Sequence, residues 1–271
     1  MRAVSTVLDV AVFLLLVSAA VATVVYAPAP VESGVDAGET ASVLATTTAT
    51  VEYDIHTEHR RSHGTLATLL ARAAVANTTV NGSPVTVLTD EFRAAVRTAT
   101  REALVAPNQT HVTATWQPYR GAPVRGRVSV GSPPPAGADV AAATVRIPSP
   151  VDATATQTLS RLSGYRGLAR HVARPVTTGL LPSTALDASL GQGTPTAVAS
   201  SRRFRAFEAA LGLTVDPELA SRNVSAAHAR VTAALAADFR VDMRRQFRSP
   251  GAARQALRTG IVTITVRRWL P

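Results

Sequence analysis

The sequence predicts an α+β fold, with an N-terminal transmembrane helix followed by an exported domain of mixed helices and antiparallel strands. Three patterns predict it. An apolar run fills most of the first thirty residues. Short segments of period-two alternation recur in the first half and again near the carboxyl terminus. Helical spacing of apolar residues dominates the stretch between. The implied organisation is an anchor over 1–27, a linker over 28–41 and an exported domain over 42–271, with a candidate sub-boundary at 148–152.

The elements follow in order. Val4 to Ala27 is about 24 residues, long enough to cross a bilayer as a helix. Arg2 and the α-amino group place its start on the cytoplasmic side. Pro28-Ala29-Pro30 ends the run, and Glu32 to Thr40 is small and polar, as linkers are. Ala45 to Ile55 reads as a strand running into a polar loop. Gly64 to Asn77 carries Leu66, Leu69, Leu70 and Ala73 at helical spacing. A second helix starts at Thr89, with Asp90 and Glu91 in the first turn, where the dipole favours acids.

His111 to Tyr119, Arg125 to Val130 and Val140 to Ile147 alternate as strands. Beyond Pro150, Ala155 to Val172 and Arg202 to Leu211 read as helices, and Thr177 to Ala199 as a long loop. Asp216-Pro217-Glu218 is a helix start, followed by Val224, Val231, Leu235, Phe239, Met243 and Phe247 at helical spacing. Ser249-Pro250 opens a short helix closed by Gly260. Ile261 to Val266 is a strand far in sequence from the others, so it completes a sheet begun in the first half and argues for one exported domain.

Composition narrows the chemistry. The chain has 271 residues, 46% of them apolar, and a net charge of +10 carried wholly by arginine. Zero cysteine excludes disulfides, thiol catalysis and thiolate metal sites. Zero lysine excludes a Walker-type phosphate loop and Schiff-base chemistry. Aromatic residues are only 4%, too few for base-stacking platforms, and nucleic acid is a disfavoured partner. The arginine clusters are Arg60-Arg61, Arg202-Arg203 with Arg205, Arg244-Arg245 with Arg248, and Arg267-Arg268. They suit phosphate, lipid headgroups or acidic glycoproteins.

Every asparagine lies in an N-x-[ST] acceptor: Asn77, Asn81, Asn108 and Asn223. This pattern points to export and glycosylation. No carboxylate pair, nucleophile elbow or H-E-x-x-H order is present, so no catalytic residue and no cofactor are expected. His56, His59 and His63 would share one face of a helix. The strand-to-loop reading scatters them, so they are weak metal candidates and no metal site is expected.

The first residues, Arg2-Ala3-Val4-Ser5-Thr6-Val7-Leu8-Asp9, resemble the start of archaeal type IV pilins with a class III signal. Thr6 and Asp9 stand where the haloarchaeal pattern has proline and glycine. The resemblance implies cutting by a prepilin peptidase between Ala3 and Val4. It also implies that Asp9 sets helix register by pairing with a neighbour's new α-amino group. The rest of the chain is similar to an uncharacterised haloarchaeal family of pilin-like membrane proteins. The expected function is therefore a non-catalytic, single-pass structural component of a surface filament or secretion apparatus, with its C-terminal domain outside the cell. Its partners would be the membrane, other pilin-like subunits or secretion machinery. The alternative is a cell-surface module that binds an anionic partner through its arginines.

Overall fold

The structure is a computed structural model that describes residues 36–270, apart from 56–57, 86–89, 152–161, 163, 182–194 and 222. Residues 37–271 form one compact unit. It opens with α1 (Ala37–Thr46), a helix that starts inside the stretch read as linker. Strands β1 (Thr48–Ile55) and β2 (Glu58–Thr65) then pair as an antiparallel hairpin. The polar stretch expected to be a loop after β1 is thus a strand. Cross-strand Glu52–Arg61 and Asp54–His59 pairs hold it in place of an apolar face.

Helix α2 (Leu66–Ala76) is capped by Thr65, whose side chain accepts from the Thr68 amide. Strands β3 (Thr78–Val80) and β4 (Ser83–Pro84) form a tight hairpin around Asn81-Gly82, both at positive φ. Helix α3 (Asp90–Ala103) buries Phe92, Val96 and Thr100, as its spacing predicts. Strands β5 (Thr110–Trp116), β6 (Val124–Val130) and β7 (Val140–Pro148) follow.

The second half is helical: α4 (Gly164–Leu180), α5 (Pro195–Leu211), α6 (Asp216–Ala220), α7 (Val224–Gln246) and α8 (Pro250–Ala256). The expected loop from Thr177 to Ala199 is shorter, because α4 extends to Leu180 and α5 begins at Pro195. The helix expected from Asp216 onward is two helices. Asn223 interrupts it and caps α7 by accepting from the Ala226 amide at 3.0 Å. Strand β8 (Ile261–Trp269) closes the chain and inserts between β5 and β7. The six-stranded sheet has the order β4-β3-β6-β5-β8-β7, antiparallel throughout, as the lone C-terminal strand implied.

One sheet face carries Val112, Ala114, Trp116, Val128, Val130, Val262, Ile264 and Val266, all buried. Helices α1 and α2 cover it. Alanines 67, 71, 73 and 74 of α2 leave little side-chain bulk, and β6 answers with Gly126. A Cβ there would stand 2.0 Å from the Ala74 carbonyl oxygen, so only glycine permits this approach. The helical half extends the same apolar core through α4, α5 and α7, with Leu168, Val172, Phe204, Phe207, Leu235 and Phe239.

The predicted fold class needs correction. The unit is a mixed α/β domain, and among the described residues no helix is long and apolar enough to cross a membrane. Helix α7 has the length, at 23 residues, but carries Arg230, Asp238, Arg240, Asp242, Arg244 and Arg245. The anchor expected over 1–27 falls outside the described residues.

Candidate functional site

Alternation along four neighbouring strands decides the other face of the sheet. Paired residues of an antiparallel ladder point the same way. The register therefore sets Ser129, Thr113, Thr265 and Thr144 in one row across β6, β5, β8 and β7. The next row is Arg127, Thr115, Thr263 and Arg146. On the other side of the hydroxyl row, His111 pairs with Arg267 and Ala142. Arg125 pairs with Thr79 of β3.

The middle of this face is short and the sides are long. Thr113, Thr115, Thr263 and Thr265 on the two central strands are half-buried. Arg125 and Arg127 on one side, and Arg146 on the other, are exposed, as is Arg267. The result is a shallow trough floored by hydroxyls and rimmed by guanidinium groups. Rows are about 6.8 Å apart along the strands, and strands about 4.8 Å apart. Among the described residues, none of these four arginines pairs with a carboxylate.

His111 sits at one end of the trough and is only 6% exposed. Burial holds its imidazole below the ordinary pKa, and the neighbouring Arg267 and Arg127 charges add to the shift. Its Nδ1 is buried without a hydrogen-bond partner among the described residues. That leaves a neutral ring with an unused polar atom at the foot of two arginines.

At the other end the trough opens into a cleft of about 750 Å³. Thr115 and Thr263 continue into it from the sheet. Gln117, Arg120 and Gly121 come from the loop after β5, Gln246 and Phe247 from the end of α7, and Ala256 and Arg258 from the end of α8. These ends are fastened together. The Arg258 amide donates to the Pro118 carbonyl at 2.6 Å, and the Trp116 indole donates to the Thr259 carbonyl at 2.8 Å. The Gln246 side chain donates to the Gly121 carbonyl at 3.0 Å.

Among the described residues no carboxylate lines the cleft. Asp242 lies behind it, where its Oδ2 accepts from both Tyr119 and Gln246. Tyr119 also packs edge-on against Phe239 and Phe247. Burial, then the hydrogen bond to Asp242, push its phenol well above the ordinary pKa.

The residues singled out in the sequence fall elsewhere. Arg2, Ala3, Val4 and Asp9 lie outside the described residues, as does His56. His59 meets Asp54 at 2.9 Å and His63 meets Thr50 at 3.0 Å, four positions apart on β2. Strand rise separates them by about 13 Å. Among the described residues no group of three potential metal ligands forms.

Of the four asparagines, Asn77 is clamped: its Nδ2 donates to the Arg127 carbonyl and its Oδ1 accepts from Arg93, both at 2.7 Å. Asn81 occupies the left-handed turn position, and its Nδ2 donates to Asp238 at 2.9 Å. Asn108 and Asn223 are exposed, and among the described residues their Nδ2 atoms have no partner.

The arginine clusters read from the sequence are mostly occupied or dispersed. Arg61 pairs with Glu52 at 2.6 Å, and Arg203 donates to the Leu180 carbonyl. Arg244 and Arg245 close α7, where the helix dipole favours cations. Of the clustered residues, only Arg267 reaches the trough. Arg125, Arg127 and Arg146 form no cluster in the sequence because they are not adjacent. The available signal was period-two alternation, Arg125-x-Arg127-x-Ser129 beside Thr113-x-Thr115 and Thr263-x-Thr265.

The fold and site thus define a mixed α/β domain with one covered and one basic, hydroxylated sheet face. The chain belongs to a family of unknown function, DUF7284, whose model matches residues 8–269. No curated protein and no solved structure matches it.

Proposed function

We propose that the domain is a non-catalytic binding module that takes an anionic partner in the trough and cleft. One observation carries this reading: Arg120, Arg125, Arg127, Arg146, Arg258 and Arg267 converge on a hydroxyl-floored surface with no carboxylate among its described residues. Planar guanidinium groups at such a surface grip carboxylate or phosphate through two hydrogen bonds each. Elsewhere Arg61, Arg93 and Arg230 pair with carboxylates, whereas the trough arginines have none among the described residues.

The test is a charge-matched comparison. Arg127→Gln, Arg146→Gln and Arg267→Gln together remove three positive charges from the trough. Arg244→Gln, Arg245→Gln and Arg248→Gln remove three from the last turn of α7 and the residues just after it. The first variant should leave a carboxylated or phosphorylated matrix at clearly lower salt than the second. Elution of both at the same salt would contradict the reading.

A second reading is supported by the amino terminus alone. Arg2-Ala3-Val4, with Asp9 five residues on from Val4, favours a pilin-like component of a surface filament or secretion apparatus, cut by a prepilin peptidase. In that case the folded domain is displayed outside the cell and the trough faces its surroundings. A mature chain starting at Val4 supports this assembly role, and one starting at Met1 contradicts it.

A further inference from the structure

We propose that the partner is a linear acidic polysaccharide, lying along β5 and β8 with its carboxylates on the rim arginines. The inference rests on the anionic-partner reading and names its chemistry. Three features choose a glycan over a nucleic acid.

The first is the floor. Ser129, Thr113, Thr265 and Thr144 present a row of hydroxyls, and Thr115 and Thr263 add two more in the row beside it. A hydroxyl both donates and accepts, which suits the hydroxyls of a sugar ring. Bases and phosphates have no matching need for so many. The second is that neither hydroxyl-bearing row carries an aromatic ring; Trp116 lies on the covered face and Trp269, at the end of β8, is only 5% exposed, so no open ring there stacks a base. The third is shape. A nearly flat trough between strands enters neither groove of a duplex, since groove readers insert a helix or a narrow ribbon.

The geometry also gives direction and length. From His111 to Gln117 the trough runs six residues of strand, about 20 Å. Arg127 flanks it from β6 and Arg146 from β7, and their rows are three strand spacings wide, about 14 Å. A uronate chain carries one carboxylate per sugar on alternating sides, so both rims are used. The buried ring of His111 closes the trough at one end, beside Arg267. At the other, Arg120, Arg258, Gln117 and Gln246 surround a cleft large enough for a terminal sugar over the apolar side chain of Phe247.

The probe is a decagalacturonate, compared with its methyl-esterified form and with an oligothymidylate of equal charge, by titration calorimetry on the full chain. The acidic sugar should bind, its ester should not, and the oligothymidylate should bind at least tenfold more weakly. The double variant Thr113→Val, Thr265→Val keeps the strand shape and every charge. It should weaken decagalacturonate at least fivefold and leave oligothymidylate unchanged. Equal or tighter binding of oligothymidylate, with no effect of the valines, would overturn the polysaccharide while leaving an anionic partner in place. Binding of neither polyanion would overturn both readings.

Discussion

The phenol of Tyr119 donates to the carboxylate of Asp242 at 2.8 Å, tying the loop after β5 to the last turns of α7. Because that loop carries Gln117, Arg120 and Gly121, this bond holds together two walls of the cleft. Gln246 donates to the same oxygen at 2.9 Å and reaches on to Gly121. The cleft is therefore braced from behind by a carboxylate that does not face it.

Replacing Tyr119 by Phe should keep the ring contacts with Phe239 and Phe247 and lose only the hydrogen bond. A bond to a charged acceptor contributes about 1.5–3 kcal/mol, and urea unfolding should show a loss in that range. The pH dependence follows from the raised phenol. Above an ordinary value of 10.0, the unfolded chain gives up this proton while the folded chain keeps it. Stability should therefore be unaffected by this group below pH about 10 and fall as pH rises beyond it. The Phe variant should fall less steeply over the same range.

Acid acts through histidine. Burial comes first among the causes that lower the pKa values of His111, His171 and His228. A folded-state pKa below the unfolded value means that the unfolded chain binds protons first as pH drops. The stability these rings contribute is present above pH about 6.5 and is lost below it. Melting temperature should fall between pH 7 and 5, and His111→Gln together with His228→Gln should flatten that fall.

Gly126→Ala should destabilise by more than about 3 kcal/mol or prevent folding, because the added methyl meets the Ala74 backbone and neither α2 nor β6 can move alone. Gly64→Ala is the control. Its Cβ would meet only Thr68 side-chain atoms at 3.6 Å, ordinary van der Waals contact. Thermal unfolding of the two should differ by many degrees.

The asparagines sort by what their amides do. Expressed through an N-glycosylating secretory route, the chain should carry glycans at Asn108 and Asn223, read as peptide mass shifts. Asn77 should remain bare, since its Nδ2 and Oδ1 are both held inside the fold. Occupancy at Asn77 with Asn108 bare would contradict this ordering.

The secondary structure was largely legible where periodicity is strong. Helices α2, α3 and α8 and strands β5 to β8 lie close to where their spacing predicts. β2 was not legible, because Glu58-His59-Arg60-Arg61-Ser62-His63 has no apolar alternation, and its pairing with β1 rests on charge and register. The Asn81-Gly82 acceptor site is also a hairpin turn, and sequence alone does not separate those two roles. Arginine clusters are visible in the sequence because their members are adjacent. The trough is assembled from residues two apart on four strands, and only the ladder register shows that they meet.

Arginine labelling tests the central claim most directly. The chain has no lysine, so a dicarbonyl reagent reads its cationic surface almost completely. With decagalacturonate or oligothymidylate at saturation, peptide mass spectrometry should show protection of Arg120, Arg125, Arg127, Arg146, Arg258 and Arg267. Arg202, Arg205, Arg244, Arg245 and Arg248 should label as in the free chain. Protection of that second set, with the trough arginines still reactive, would contradict the account.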